Sequence, residues 1–285
     1  MVEVTLKGML PASFSAARAP LMHFDDQRSP EYRFPNPPIE VHDARQLQSS
    51  ARSEAAFFEE HGFVLLGHSS AVKDWDQDIG SIYRGEINSI IAERLLPGRR
   101  TIVQQGVKVT RRGQQARFYA EGVHSDGPLT IDAYASNLRA MVSDQAARSW
   151  QQMMASDKVA GFMHMNFWRP INMSEPLRHM PLALCDPNSL ELSDLIPNNI
   201  ANIAPEGRTT EHLALRYNPS QRWFYYPNMR CDEVLAFKLY QYFKDDPDAP
   251  PQNVFHSAFR DPDASDDCEP RKSCEHRVVV TILKD

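Results

Sequence analysis

The spacing of apolar residues divides the chain into two parts with different predicted structure. Up to about residue 155 the spacing favours helices, because apolar positions recur every three or four residues. The predicted helices cover 51–60, 71–96 and 131–155. Pro97-Gly98 ends the second helix, as expected for residues that stop a helix. Short strands are predicted at 62–66 and 102–110.

The second part of the chain has the pattern of many short strands. They are predicted at 163–168, 182–184, 212–217, 223–226, 234–239, 254–259 and 277–283. Turn signals such as Asn218-Pro219 and Asp246-Pro247 separate them. Helices followed by a run of short strands predict an α+β fold. The form we expect is a double-stranded β-helix, a jelly-roll or cupin-like barrel, with flanking helices.

We expect one domain that spans residues 1–285. Residues 1–50 are rich in proline and charge and are predicted to form an extended N-terminal arm, with a short strand near Val2–Leu6. The catalytic barrel is expected at roughly 100–283, interrupted by a helical insertion near 131–155.

Composition narrows the kinds of partner. A net charge of −6 argues against nucleic acid or an anionic membrane as the main partner. No apolar run is long enough to cross a bilayer, and no secretory signal is visible. The four cysteines form no CxxC pair, and we expect free thiols, although Cys268 and Cys274 could bridge under oxidation. These features predict a cytoplasmic protein that acts on a small molecule.

His124-Ser125-Asp126 is the first candidate for a site. Residues i and i+2 of a strand point to the same side, so the imidazole and the carboxylate can aim at one point. With a second histidine they would form the facial triad of non-haem iron(II), which leaves three coordination positions open. Such a short motif also arises by chance. A second triplet, His23-Phe24-Asp25, lies in the proline-rich arm, where no strand context supports a metal site.

His256 is the candidate third ligand, because it lies in a strand-like run at 253–259. Arg277 follows on the last apolar strand, where a buried guanidinium needs an anion such as the distal carboxylate of 2-oxoglutarate. A surface strand end, with Arg277 in water, is the alternative. The other histidines have simpler interpretations: His164 in the core, His212 and His276 facing solvent, and His179 in a loop.

Many segments between residues 100 and 283 together resemble a family of natural-product hydroxylases and desaturases, the gibberellin-type desaturases and cephalosporin-methoxylation-associated proteins. The shared segments are His124-Ser125-Asp126, Asn166-Phe167-Trp168-Arg169-Pro170-Ile171, Leu184-Cys185-Asp186 with Ser189, Tyr217-Asn218-Pro219, Arg222-Trp223, Tyr225-Tyr226-Pro227 with Met229, Asp232-Glu233-Val234-Leu235, Phe237-Lys238, His256-Ser257-Ala258-Phe259 with Asp261-Pro262, and Arg271, Ser273, Glu275 and Arg277.

This resemblance implies His124, Asp126 and His256 as iron(II) ligands, with 2-oxoglutarate and dioxygen as cosubstrates. It also implies Arg277 as the 2-oxoglutarate anchor and places Asn166 near the cosubstrate. The step from His256 to Arg277 is longer than usual for such enzymes, so Arg271 and Arg260 stay open as anchors.

The expected activity is hydroxylation, desaturation or oxidative cyclisation of a small natural product by an iron(II) and 2-oxoglutarate-dependent oxygenase. Two alternatives stay open: a cupin-like metalloenzyme without redox chemistry, and a non-catalytic partner subunit of a heterodimer. A homodimer or a complex with a related chain is also open.

Overall fold

The computed structural model describes residues 1–15, 21–23, 36–76, 80–106, 109–113 and 119–285. Its strands are β1 (Val2–Val4), β2 (Leu21–His23), β3 (Ile39–Asp43), β4 (Phe63–Gly67), β5 (Thr101–Gln105), β6 (Thr110–Arg112), β7 (Val159–Pro170), β8 (Leu182–Cys185), β9 (Leu195–Ala201), β10 (Thr210–Leu215), β11 (Trp223–Tyr225), β12 (Glu233–Phe243), β13 (His256–Ala258) and β14 (Ser273–Leu283). Its helices are α1 (Ala44–Ser49), α2 (Glu54–His61), α3 (Gly80–Ile90), α4 (Ile131–Met141) and α5 (Asp144–Ala155). A π-helical turn, Ile91–Leu95, continues α3.

Two curved layers of mainly antiparallel strands face each other. The first layer has the order β4-β12-β7-β14-β5, with β6 also paired to β14. The second has the order β1-β3-β11-β8-β13. Residues 124 and 125 join this layer to a third sheet, β10-β9-β2, because His124 bridges to His256 and Ser125 bridges to Leu213. This is the predicted α+β arrangement of facing sheets with helices packed outside.

The central strands β7 and β14 divide apolar from polar side chains. They pair over their whole length, from Ser273 opposite Pro170 to Leu283 opposite Val159. Met165 and Val278 point away from the inside of the barrel, into the apolar core between this sheet and helices α2 and α3. Asn166 and Arg277, directly opposite each other, occupy the other face, because side chains alternate along a strand. The two longest strands therefore carry polar groups into the barrel.

Helix α2 and strand β4 form where the sequence predicts them. The Ser53 side chain accepts a hydrogen bond from the amide of Ala56 and so caps the start of α2. The helix ends at Gly62, whose left-handed backbone (φ 71°) favours glycine. Gly62 leads directly into β4, which is buried apart from its last residue.

Several predicted elements have different bounds in the structure. The helix predicted at 131–155 is two helices, α4 and α5, and Ser143 caps the second by accepting from the amide of Ala146. The strand predicted at 102–110 is β5 followed by β6. Strand β9 was missed, because Pro197 and the asparagines after it have the character of a turn.

The N-terminal region contributes to the second layer. Strand β1 pairs with β3, and β3 runs parallel to β11.

All four cysteines are free thiols. Within the described ranges no helix is both long and apolar enough to cross a membrane.

Candidate metal centre

His124, Asp126 and His256 converge on one point of the barrel. One ligand atom from each of the three side chains lies within 4.8 Å of the others. The His124 Nε2 atom is 3.8 Å from Asp126 Oδ1, and the His256 Nε2 atom is 4.0 Å from Asp126 Oδ2. Two ligands at right angles on a divalent metal, each at about 2.1 Å, would be about 3 Å apart. A small inward rotation of these side chains would therefore close them around one ion.

Backbone pairing brings these residues together. The amide of His124 donates to the carbonyl of His256 (3.2 Å), and the amide of His256 donates to the carbonyl of His124 (3.0 Å). The two histidines are thus directly opposite each other, so their side chains share one face of the sheet. Their ring centroids are 4.4 Å apart. Asp126 joins them because it lies two residues beyond His124.

Both histidine rings are oriented so that Nε2 is free to bind a metal. The Nδ1–H group of His124 donates to the carbonyl of Gly122 (2.6 Å), and that of His256 donates to the carbonyl of Val254 (3.1 Å). A carbonyl only accepts, so each Nδ1 must carry the proton and each Nε2 presents a lone pair. Hydrogen bonds of this kind orient metal-binding histidines in general.

The buried Asn253 side chain ties the two ligand-bearing segments together. Its Nδ2 group donates to the carbonyls of Leu239 (2.7 Å) and Pro128 (3.2 Å) and lies 3.4 Å from Ser125 Oγ. Ser125 lies between the candidate ligands His124 and Asp126, and Asn253 comes just before the strand of His256. The position of the site is therefore held by contacts that need no metal.

Arg277 forms an ion pair with Asp126. Its Nη2 and Nε atoms donate to Asp126 Oδ2, at 2.7 Å and 3.2 Å. Burial alone would raise the pKa of the Asp126 carboxyl, but Arg277 and then the neighbouring histidines hold that pKa well below its usual range. Asp126 is therefore ionised at neutral pH. The predicted 2-oxoglutarate anchor has a carboxylate partner from the protein itself.

Asn166 and Glu275 lie beside this ion pair. Asn166 Nδ2 donates to Glu275 Oε2 (3.3 Å), and Arg112 Nη2 donates to Glu275 Oε1 (2.9 Å). Arg277 Nη2 is 3.8 Å from Glu275 Oε2. Asn166, which we expected near the cosubstrate, therefore binds a buried carboxylate next to Arg277.

Arg271 is a buried arginine that lies two residues before the start of β14. It is 1% exposed and donates to the carbonyls of Met180 (2.6 Å) and Tyr119 (2.9 Å). Among the described residues no carboxylate lies within ion-pair distance of Arg271, and its Nε atom has no hydrogen-bond partner there. The buried Ser273 hydroxyl, two residues along, also lacks one. Both features indicate a place for an anion.

Access to the three candidate ligands is uneven. The His256 side chain is 6% exposed and packs against Phe237, whose ring centroid is 4.8 Å away. The His124 side chain is 29% exposed, and that of Arg277 is 39% exposed. Solvent therefore reaches the site from the side of His124 and Arg277.

Two sequence-based expectations about histidines are wrong. His212 and His276 were expected to face solvent, but both are buried. His212 lies on β10 beneath the site, where burial lowers its pKa to about 4, and His276 contacts Gln105 under α3. Both histidines lie at or next to the ends of predicted strands, and the sequence of a strand end does not show which other elements cover it. The triplet His23-Phe24-Asp25 has its side chains outside the described residues, so the structure does not test it.

Comparison with known proteins identifies the family. A family model described as "Oxidoreductase/YMDC permease-like domain" matches residues 15–281. The chain belongs to this family. It is 26% identical over 279 residues to the hydroxylase/desaturase efuI of Hormonema carpetanum, a match that covers 88% of this chain and 86% of efuI. It is 33% identical over 175 residues to the hydroxylase/desaturase asaB of Aspergillus flavus, covering 54% and 75%.

A solved structure of another protein has the same fold as this chain. The iron and alpha-ketoglutarate-dependent endoperoxidase NvfI superimposes with a TM-score of 0.73 at 20% identity, over 99% of this chain and 98% of NvfI. The curated nvfI of Aspergillus novofumigatus is named an Fe(II)/2-oxoglutarate-dependent dioxygenase. This chain is 32% identical to it over 120 residues, a match that covers 42% of this chain and 40% of nvfI. These matches confirm the predicted fold, the oxidoreductase class and the relationship to natural-product hydroxylases and desaturases.

Proposed function

We propose that this chain is an iron(II) and 2-oxoglutarate-dependent oxygenase in which His124, Asp126 and His256 bind the metal. The convergence of these side chains supports the proposal most strongly. Two neutral imidazoles and one carboxylate on one face are the ligand set of non-haem iron(II) oxygenases. Similarity to relatives named for iron and 2-oxoglutarate supports the same assignment.

The donor set fits such a metal. Burial, and then the proximity of His124, lowers the pKa of His256 to about 4, so this imidazole is neutral at physiological pH. Asp126 is ionised and brings one negative charge. When bound, the iron and its cosubstrates supply the oxidation, and the protein contributes orientation and exclusion of water. His256 and Phe237 close the inner side of the site, so the substrate approaches from the side of His124 and Arg277.

We assign the distal carboxylate of 2-oxoglutarate to Arg271 and Ser273. Arg271 is a buried cation without a carboxylate among the described residues, and Ser273 offers an unpaired hydroxyl two residues away on the same face. Arg277, in contrast, already has Asp126 as its partner. A buried guanidinium is stabilised when it binds a carboxylate through two hydrogen bonds. The sequence left this choice among arginines open, and the contacts favour Arg271.

The substrate class follows from the relatives. Three of them are named hydroxylase/desaturase, two are named dioxygenases and one is named a biosynthesis protein, all from fungi. We therefore propose hydroxylation, desaturation or oxidative ring formation on a small biosynthetic intermediate.

Four free cysteines suit a reducing compartment such as the cytosol. Light scattering distinguishes a single-domain monomer from the homodimer or the complex with a related chain that the sequence left open.

Anaerobic spectroscopy tests the function. Addition of iron(II) and 2-oxoglutarate to the protein should produce a weak visible charge-transfer band, and exposure to oxygen should release succinate. Asp126→Ala should abolish both signals, because it removes the one anionic ligand. Arg260→Met is the matched control, since Arg260 is 82% exposed and pairs with Asp266 on the surface. If Asp126→Ala kept the band and full succinate release, the assignment would be wrong.

A further inference from the structure

The two oxygens of the Asp126 carboxylate have different surroundings. Oδ2 accepts two hydrogen bonds from Arg277, from Nη2 at 2.7 Å and from Nε at 3.2 Å. Oδ1 accepts none from the part of the chain that is described, and it lies 3.8 Å from the Nε2 atom of His124. Oδ2 lies 4.0 Å from the Nε2 atom of His256, so both oxygens are close to a candidate ligand. One oxygen is thus held by a guanidinium and the other is available to a metal.

A second, buried carboxylate lies near Arg277. The Nη2 atom of Arg277 is 3.8 Å from Glu275 Oε2, two residues earlier on the same face of β14. Glu275 is fixed from two sides, by Arg112 on one oxygen and by Asn166 on the other. Asn166 lies directly opposite Arg277 in the neighbouring strand. The guanidinium therefore lies between two carboxylates, those of Asp126 and Glu275.

The number of oxygens that Asp126 gives to the metal decides how many positions remain. A carboxylate can bind a divalent ion through one oxygen or through both. Two imidazoles and one oxygen leave three of six octahedral positions open, which suffices for a chelating 2-oxoglutarate and one further ligand. A second oxygen from Asp126 would leave only two, and the further ligand would have no position.

We propose that Arg277 is a positioning residue that keeps Asp126 a one-oxygen metal ligand and thereby preserves the third open position. This inference rests on the metal site proposed above. Arg277 occupies Oδ2 and neutralises its charge, so a metal meets only Oδ1. Glu275, which is hydrogen-bonded to Asn166 and Arg112, lies on the other side of the guanidinium.

The test counts exchangeable water on Mn(II) bound to the protein, without 2-oxoglutarate. Electron-nuclear double resonance in ¹⁷O-enriched water reports bound waters, and nitrogen couplings report the two histidines. We expect three waters in the wild-type protein and two in Arg277→Met. Arg277→Met should nevertheless bind Mn(II) at least as tightly as the wild type, because a positive charge next to the ion has been removed. A purely structural role for Arg277 would instead predict weaker binding.

Further variants separate position from charge. Arg277→Lys retains a donor and should keep three waters. Glu275→Gln should also keep three, because both hydrogen bonds from Arg277 to Asp126 Oδ2 remain. Arg260→Met, on the surface, should match the wild type. If Arg277→Met does not fold, Arg277→Ala offers the same comparison. Mn(II) bound to Arg277→Ala should carry two waters without an additive and three waters after ethylguanidinium is added.

The outcomes distinguish the two proposals. If wild-type Mn(II) shows no coupling to histidine nitrogen, the metal site itself is wrong. If the histidine couplings are present but the wild type carries two waters, or if Arg277→Met carries three, the metal site stands and the role of Arg277 is refuted.

Discussion

Arg271→Met tests which arginine binds 2-oxoglutarate, and the structure allows its effects to be estimated. Methionine is of similar length but carries no charge and no donors. In the folded protein Arg271 is almost completely buried, and its guanidinium lies 4.6 Å from the ring centroid of Tyr119 and 5.7 Å from that of Trp168. The side chain is therefore already ordered before any ligand binds, so binding costs little conformational entropy.

Removing this side chain should change the stability of the ligand-free protein only slightly. Burial lowers the pKa of Arg271 to about 10, which at 1.36 kcal/mol per pKa unit corresponds to a cost of about 3 kcal/mol for the buried charge. The substitution removes that cost. It also leaves the carbonyls of Met180 and Tyr119 without their donor, at about 1–3 kcal/mol each. These contributions partly cancel, so we expect a change within about 3 kcal/mol.

The effect on 2-oxoglutarate should be much larger. Removal of one partner of a buried, hydrogen-bonded charge pair costs about 2–5 kcal/mol. At 1.4 kcal/mol for each factor of ten, the dissociation constant should rise by about 30-fold to several thousand-fold. Anaerobic titration of the iron(II) protein with 2-oxoglutarate, followed by the charge-transfer band, measures this constant. Urea unfolding without ligand measures stability.

Two variants make the result decisive. Arg260→Met should bind 2-oxoglutarate with unchanged affinity, and Arg277→Met should lose far less affinity than Arg271→Met. Near wild-type affinity in Arg271→Met, together with a large loss in Arg277→Met, would refute the assignment and support the anchor first predicted from the sequence.

Three further substitutions probe the scaffold around the site. Gly127→Ala should destabilise the protein by more than about 3 kcal/mol in urea unfolding, since a Cβ there would overlap the carbonyl oxygen of Leu239. Burial lowers the pKa of Lys238 from 10.5 to about 8, so the unfolded chain binds more protons between these values and stability should rise with pH across that window. Lys238→Met should remove this rise in unfolding curves at about pH 7.5 and 9.5. Ser143→Ala should cost about 1 kcal/mol through loss of the cap on α5, whereas no loss would mean that the cap is unimportant.

The sequence was most informative where local pattern and strand context agreed. His124 and Asp126 share a face because they are two residues apart, and His256 was chosen among ten histidines for its strand-like surroundings. Arg271, Ser273, Glu275 and Arg277 stand at every second position, but the strand predicted at 277–283 reached only Arg277, whereas β14 begins at Ser273. The sequence could not show which partner each side chain meets across the barrel.

The remaining differences have physical causes that local patterns do not contain. Arg277 pairs with Asp126 only because β14 faces the segment of His124, a contact between distant parts of the chain. His276 looked exposed because the sequence does not show that α3 and β5 cover it. The break between α4 and α5 depends on one capping serine within a continuous helical pattern.

The direct pairing of His124 with His256 has a consequence for biosynthesis. The two proposed ligands are about 130 residues apart, a long-range contact whose closure is slow. A ribosome-bound chain that has reached only the first histidine and the aspartate lacks the last ligand, and it also lacks the strand that carries Arg277. Iron capture should therefore begin only after synthesis has passed Arg277 and its strand has left the ribosome, so the metal binds late relative to the first two proposed ligands.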